Sequence, residues 1–301
     1  MMAEKKRVIA LGFFDGVHLG HGALLNKTKE RAYEIGGVPS VLSFDVHPDS
    51  IVFKSDVKLI NSADDRKEII KRLYGIEDVV FIHFDTKLMR MPWREFIDHI
   101  AAELNVGRIV IGHDFCCGYK GEGKAELIRE YCDSLGIGCD IIPALCVDGR
   151  VISSTWIREL IINGDMETAR RLLGHPHTLS DTVHSGYQLG RKLGTPTINM
   201  FFPDGVLIPK YGVYASRVHI DGGKSCNAVT NIGIRPTVGN GDGVSVESHL
   251  LDYSGDLYGR QTRVEFYKFL RPEIKFESLE ELSEQIRLDA EAAEVFYKND
   301  P

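Results

Sequence analysis

The stretch Gly12-Phe13-Phe14-Asp15-Gly16-Val17-His18-Leu19-Gly20-His21 joins an apolar run to a helical pattern. Glycines such as Gly12 and Gly20 let backbone approach a ligand oxygen, and the free N–H groups at a helix start carry partial positive charge. His18 and His21, three residues apart, can face one site and stabilise charge developing on a transferring phosphoryl group. The junction suits a triphosphate. In isolation, the same histidines also fit a surface or metal-binding pair.

A second junction is Ile152-Ser153-Ser154-Thr155-Trp156-Ile157-Arg158, which enters another helical pattern. Its hydroxyls and N–H groups form an anion cup, and Arg158 adds a permanent charge. Alone, it reads equally as a capping cluster with a solvated arginine. The second half holds a glycine-rich arch with a basic pair, in which Gly190, Lys192 and Gly194 could fold over phosphates or make a plain turn. Just after it, Thr197 and Asn199 project to one face if they lie on a strand. A hydroxyl and an amide carbonyl are neutral oxygen ligands suited to Mg²⁺ that also holds phosphate, although a Thr–Asn turn uses the same residues. Glu247 stands in a β-rich run, either solvated or aimed inward as a base for an attacking hydroxyl.

These residues need elements to hold them. Apolar runs at Arg7–Phe14, Pro39–Asp45, Asp78–Phe84, Arg108–Phe115 and Gly138–Leu145 alternate with helical patterns, as in a parallel sheet covered on both faces. Its ligand crevice belongs beyond the carboxyl ends of the strands, where the loops after Phe14, Asp45 and Phe115 meet. Residues 155–174 read as two short helices, with Asn163-Gly164 closing one, Asp165 capping the next and Gly174 ending it. His175-Pro176 marks a boundary. Beyond it, Val264, Phe266, Lys268 and Leu270 alternate with Glu265, Tyr267, Phe269 and Arg271 as in an antiparallel strand. Turn signals at Pro203–Gly205, Asp221–Gly223 and Gly239–Gly241 suggest a small barrel. A helix opened by Ser278 and Glu281 follows, with Leu279, Leu282, Ile286, Ala290, Ala293 and Tyr297 as its apolar stripe. Fold and division are therefore α/β over residues 1–174 and a β-barrel with a C-terminal helix over 177–301.

With 301 residues and a formal net charge of −7, the chain has no general field for nucleic acid or an acidic membrane. Both halves are acidic, so phosphates must be met by local devices. No signal peptide or membrane span is expected, and six cysteines without metal spacing suit reduced thiols in a cytoplasm.

Together the H-x-G-H and I-S-S-T-x-x-R motifs resemble a class of nucleotidyltransferases. More narrowly, GFFDGVHLGH, SFDVHP (43–48), GHDFCCGYKGEG (112–123) and ISSTWIR resemble the FMN adenylyltransferase module of bacterial bifunctional riboflavin kinase/FAD synthetases. The second half is similar to the riboflavin kinase module, through GYQLGRKLGTPTIN, YGVYAS (211–216), NIGIRPTVG (231–239), VESHLLDYSGDLYG (246–259) and FLRPEIKFESLEEL (269–282). The resemblance implies a Rossmann-like parallel sheet, then a Greek-key barrel with a C-terminal helix. It implies riboflavin, FMN and ATP as small-molecule substrates, Mg²⁺ as cofactor, and neither nucleic acid nor membrane as partner; it sets no oligomeric state.

By the same resemblance Gly12, Phe13, Asp15, His18, Gly20, His21 and Asp114 serve the nucleotide, and Ser153, Ser154, Thr155 and Arg158 the leaving pyrophosphate. Thr197 and Asn199 bind Mg²⁺-ATP beneath the Gly190–Gly194 arch, Glu247 is the kinase base, and Arg271 shapes the flavin side. The chain departs from the family at Cys116-Cys117, at Ser180-Asp181 and at Thr195. Another phosphorylated acceptor, or a flavin-binding regulator with degenerate sites, are the alternative readings.

Overall fold

The computed structural model describes residues 5–185, 197–220, 223–235 and 243–299. Gly190, Lys192 and Gly194, Thr195, and the turns at 221–222 and 239–241 lie outside them. The chain divides into two compact units, Met1–Ser154 and Thr155–Pro301.

In the first unit β1 (Arg7–Leu11), α1 (Leu19–Ile35), β2 (Val38–Phe44), α2 (Pro48–Val52), α3 (Ala63–Tyr74) and β3 (Asp78–Ile82) come first. Next are α4 (Thr86–Arg90), α5 (Trp93–Glu103), β4 (Val106–Gly112), a hairpin of β5 (Cys116–Cys117) and β6 (Gly123–Lys124), α6 (Ala125–Ser134) and β7 (Gly138–Ile142). The small hairpin of β8 (Cys146–Val147) and β9 (Arg150–Val151) ends the unit. The main sheet is parallel, in the order β3-β2-β1-β4-β7.

Alternate strand residues feed two cores. Val8, Ala10, Val41 and Val110 pack with Leu25 of α1 and Ile69 and Ile70 of α3. Ile9, Leu11, Ile109 and Ile111 pack with Ile97 of α5 and Ile128 of α6. Burial of both strand faces is why these segments read as continuous apolar runs. All five expected strands are present, but each stops one to three residues before its apolar run ends. Those last residues leave the sheet to build the loops at its carboxyl end. At the amino end, charges are paired: Arg7 with Asp78 at 2.8 Å, and Arg31 and Arg108 with Asp140 at 2.9 and 2.8 Å.

The second unit takes up α7 (Ser154–Asn163), which opens at the dividing residue, and α8 (Met166–Leu173). Asp165 accepts the Thr168 N–H at 3.0 Å, and Gly174 closes α8 with φ 79°, as the residue types require. The strands are β10 (His177–Thr182), β11 (Thr197–Met200), β12 (Gly212–Ile220), β13 (Lys224–Arg235), β14 (Gly243–Leu250) and β15 (Gln261–Arg271), followed by α9 (Leu279–Asn299). Their order is β10-β15-β12-β13-β14-β11, all antiparallel. β15 returns beside the β12-β13-β14 meander, which is a Greek key. A bridge between His184 and Asn199 joins the two edges of the curled sheet.

Tyr214, Val218, Ile232, Val246 and Phe266 are fully buried on the inner face. Ser216, Thr230 and Ser248 cross that face as a hydroxyl chain, with contacts of 2.6 and 2.8 Å. On the outer face Val213, Ala215 and Val229 pack under Ala293 and Tyr297 of α9. Two expectations need correction. The pairing of β12 with β15 slips between Ala215 and Ser216, so strict alternation along β15 breaks and Phe269 packs on Tyr214 with centroids 5.3 Å apart. Leu279, expected in the buried stripe, is 51% exposed because it sits at the helix start.

Candidate functional site

Beyond the carboxyl ends of β1, β4 and β7 lies one cleft. It is lined by Gly12, Phe13, His18, Gly20, His21, Asp114, Ser153 and Ser154 among others. The structure thus gathers most of the expected nucleotide residues of the first unit. Thr155 and Arg158 stand on α7 in the second unit.

Asp15 is not among the lining residues. Its buried carboxylate accepts the Ile60 N–H at 2.9 and 3.1 Å and the Asn61 N–H at 3.3 Å, and its carbonyl accepts the Ser154 hydroxyl at 2.9 Å. Asp15 therefore ties the first motif to the Ile60–Asn61 segment and to the second motif.

Between β1 and α1 the backbone is held in an uncommon form. Phe14 has φ 58° and Val17 φ 43°, left-handed values that side-chain-bearing residues adopt at a cost of about 1–3 kcal/mol each. Both side chains are fully buried, and the Val17 N–H donates to the Phe14 carbonyl at 3.0 Å. The strained turn delivers His18 as the N-cap of α1, where its Nδ1 accepts the His21 N–H at 3.2 Å. That contact leaves Nε2 as the proton-bearing nitrogen of a neutral His18. The two rings stack at 3.6 Å and 12°. A Cβ on Gly20 would come within 3.1 Å of the His18 ring, so this glycine makes room for the stack.

His21 is held well below the usual histidine range, first by burial, then by the charges of His18 and Arg66. Its Nδ1 is buried with no hydrogen-bond partner among the described residues. His21 is thus a neutral polar ring with an unpartnered nitrogen, stacked on His18 at the cleft.

Next to this cleft is an apolar cavity that the sequence reading missed. Phe44, Phe53, Phe84, Phe96, Phe115 and Tyr119 surround it, and its wall includes Cys116 and Cys117. Burial and the neighbouring Cys116 push the Cys117 thiol up to about 12, so it stays protonated. Among the described residues, Phe115 lines both the polar cleft and this cavity. No local spacing announces the cavity, because its aromatic residues come from five separate segments.

The second unit repeats the pairing by other means. Register places Thr197 opposite His249, and Asn199 and Asn231 both opposite Glu247. Directly paired residues share a face, so Asn199, Glu247 and Asn231 form one row across β11, β14 and β13, with Thr197 and His249 in the next row of that face. Thr197, Val229, Asn231, Glu247 and Arg271 line a cleft closed by Leu282, Ile286 and Asp289 of α9. A second cleft is lined by Thr197, Asn199, Tyr253, Asp256 and Tyr258. Thr197 lines both, alone among the described residues.

Arg271 also lines the first of these clefts, but its guanidinium is committed. It donates to Asp289 at 2.8 and 2.7 Å and to the Pro272 carbonyl at 2.9 Å, clamping α9 to the end of β15. Hard oxygen donors at Thr197 and Asn199 fit Mg²⁺ bound to phosphate oxygens.

The family model for FAD synthetase matches residues 1–156, and that for riboflavin kinase matches residues 173–297. A bifunctional riboflavin kinase/FMN adenylyltransferase of Listeria monocytogenes is 34% identical over 97% of this chain and 92% of its own length. The protein of that description in Pseudomonas fluorescens is 36% identical, with 95% and 91% covered. A crystal structure described as a macrolide-efflux protein from Streptococcus pneumoniae matches with a TM-score of 0.85 at 28% identity, covering 96% of this chain and 94% of that one. Among the described residues here, no helix is long and apolar enough to cross a membrane. With both family models in order and bifunctional relatives matching along nearly the whole length, the chain belongs to the bifunctional riboflavin kinase/FMN adenylyltransferase family.

Proposed function

We propose that this chain makes FAD in two consecutive reactions. Residues 177–301 transfer the γ-phosphoryl group of ATP to the ribityl 5′-hydroxyl of riboflavin. Residues 1–174 then join the resulting FMN to the adenylyl group of a second ATP and release pyrophosphate. The observation that carries this reading is the repeated pairing of a polar cleft with an adjoining second cleft. Each pair meets at one shared residue, Phe115 in the first unit and Thr197 in the second. Such a meeting point is what a reaction between two bound substrates requires.

In the kinase step riboflavin occupies the cleft under α9, and ATP the cleft beside Asn199. Glu247 accepts the proton of the 5′-hydroxyl as that oxygen attacks the γ-phosphorus and ADP leaves. Thr197 and Asn199 would hold Mg²⁺, which when bound neutralises charge on the phosphates. Gly190, Lys192 and Gly194 belong to the nucleotide side by family resemblance, and Arg271 positions α9 over the flavin.

In the adenylylation step the isoalloxazine ring fills the aromatic cavity, and its phosphate reaches past Phe115 to the α-phosphorus of ATP. The new P–O bond forms as the bond to pyrophosphate breaks. His18 and neutral His21, the α1 amino end and Gly12 hold phosphate oxygens by hydrogen bonds, and Asp114 serves the nucleotide. Ser153, Ser154, Thr155 and Arg158 receive the pyrophosphate by family resemblance. Catalysis is positioning and preorganised electrostatics, with no covalent protein intermediate.

Six free cysteines suit a reducing cytoplasm. Chromatography of products from riboflavin, ATP and Mg²⁺ tests the reading: FMN should appear first and FAD after it. FMN that accumulates with no FAD would refute the second step.

A further inference from the structure

Arg66 is fully buried on α3, a rare state for arginine unless it is paired. Its acceptors carry no charge. Nη1 donates to the Phe13 carbonyl and to the Ser43 hydroxyl at 3.2 Å, and Nη2 donates to the Phe44 carbonyl at 3.1 Å. Nε finds no partner among the described residues. The carboxylates whose charge it feels are committed elsewhere. Asp15 holds the Ile60 and Asn61 N–H groups, and Asp45 holds His83 at 2.9 Å and the Phe84 N–H at 3.2 Å. A buried charge with so little compensation is expensive, and a packed apolar residue would be cheaper for folding alone.

The contacts point to the cleft. Arg66 lies 4.3 Å over the Phe13 ring, and the Phe13 carbonyl it holds also accepts the Ser43 hydroxyl at 2.8 Å. The next residue, Phe14, carries the left-handed φ of 58° and packs its ring on His21 at 5.3 Å. We propose that Arg66 is a positioning residue for adenylyl transfer, fixing the Phe13 carbonyl and through it the turn that presents His21 to the phosphates. The proposal rests on assigning adenylyl transfer to the first unit.

A residue that only filled space would leave the pH dependence of the step unchanged. Arg66 would not, because its charge helps keep the buried His21 neutral. The titratable and charged groups around His21 are His18 on its own turn, Arg66 from α3, and His113 and Asp114 across the cleft. Without the Arg66 charge, His21 takes a proton at higher pH, so the acid limb of FAD formation moves upward.

The test uses the full chain with Arg66→Met and Arg66→Lys, assayed separately for FMN-to-FAD and riboflavin-to-FMN conversion. Arg66→Met should lower kcat for FAD formation at least ~10-fold and raise the acid limb, with riboflavin phosphorylation within about twofold of the parent. Arg66→Lys keeps a cation but loses the fork, so kcat should fall ~10-fold with a smaller movement of the limb. If Arg66→Met loses its helical circular dichroism, the lysine variant decides. Wild-type FAD rates in a folded variant, or a lower rate with an unmoved acid limb in both, would overturn the proposal. A parent chain that makes no FAD would instead overturn the assignment beneath it.

Discussion

The two units solve one problem, meeting phosphate in an acidic protein, with opposite backbone strategies. In the first, the cleft sits at the rim of a parallel sheet, and irregular backbone builds it. Phe14 and Val17 are left-handed, and Asp15 and Arg66 are buried beneath them to hold the turn. In the second, the clefts lie against the regular face of antiparallel strands, where register alone aligns Thr197, Asn199, Asn231 and Glu247. A rim site depends on buried polar tethers that have no counterpart in a period-2 pattern. A face site depends on the sheet's register and on whatever covers the sheet, here α9.

The largest expected effect tests that dependence on α9. Arg271→Leu leaves the buried Asp289 carboxylate without its bidentate partner and should destabilise the second unit by about 3–5 kcal/mol. Chemical unfolding followed by riboflavin phosphorylation measures it. Loss of FAD formation from supplied FMN to the same extent would break the comparison. At the junction of the face clefts, Thr197→Val keeps the strand and removes the oxygen. The kcat of riboflavin phosphorylation should fall about 10–100-fold, while FMN adenylylation is unchanged.

A smaller effect sharpens the contrast in pH response. His177 is buried on β10, its ring nitrogens have no partner among the described residues, and burial with nearby His175 lowers it to about 3. Its folded value lies below the unfolded one, so the unfolded chain takes up a proton that the folded chain refuses. Stability is full above pH 6.5 and falls as pH drops toward 3. Between pH 6.5 and 5 the loss is about 2 kcal/mol. Glu265 adds to it lower down: burial raises its value, but the His219 and Tyr267 hydrogen bonds and the Arg263 charge outweigh burial and hold it at about 2. That contribution disappears as pH falls from 4.5 toward 2. His177→Phe should flatten the pH 5–6.5 slope in urea unfolding of the second unit, and an unchanged slope would contradict this.

The folds were legible in these elements because their signals are local. Continuous apolar runs gave five parallel strands, and Asn163-Gly164, Asp165 and Gly174 gave the limits of α7 and α8. The site was legible where chemistry clusters in sequence, as in His18 with His21 and Thr197 with Asn199. What spans the fold was not. Phe44 ends β2 while Phe84 and Phe115 lie in separate loops, and only the sheet brings them around one cavity. Arg66, within the Asp-Asp-Arg-Lys start of α3, is buried by the Phe13 ring and the Phe13 and Phe44 carbonyls, from the turn after β1 and the end of β2. The resemblance places Arg271 on the flavin side, but its ion pair with Asp289, eighteen residues away on another element, had no local signal. The phase slip along β15 was invisible because a bulge inserts no characteristic residue.

The central claim is that the rim and the face are separate active sites for consecutive reactions. Both conversions should be measured in His21→Ala and Glu247→Ala chains of unchanged circular dichroism. His21→Ala should lose FAD formation from FMN by at least ~100-fold and keep riboflavin phosphorylation, and Glu247→Ala should do the reverse. If either substitution abolished both conversions in a folded chain, the two-site account would be wrong.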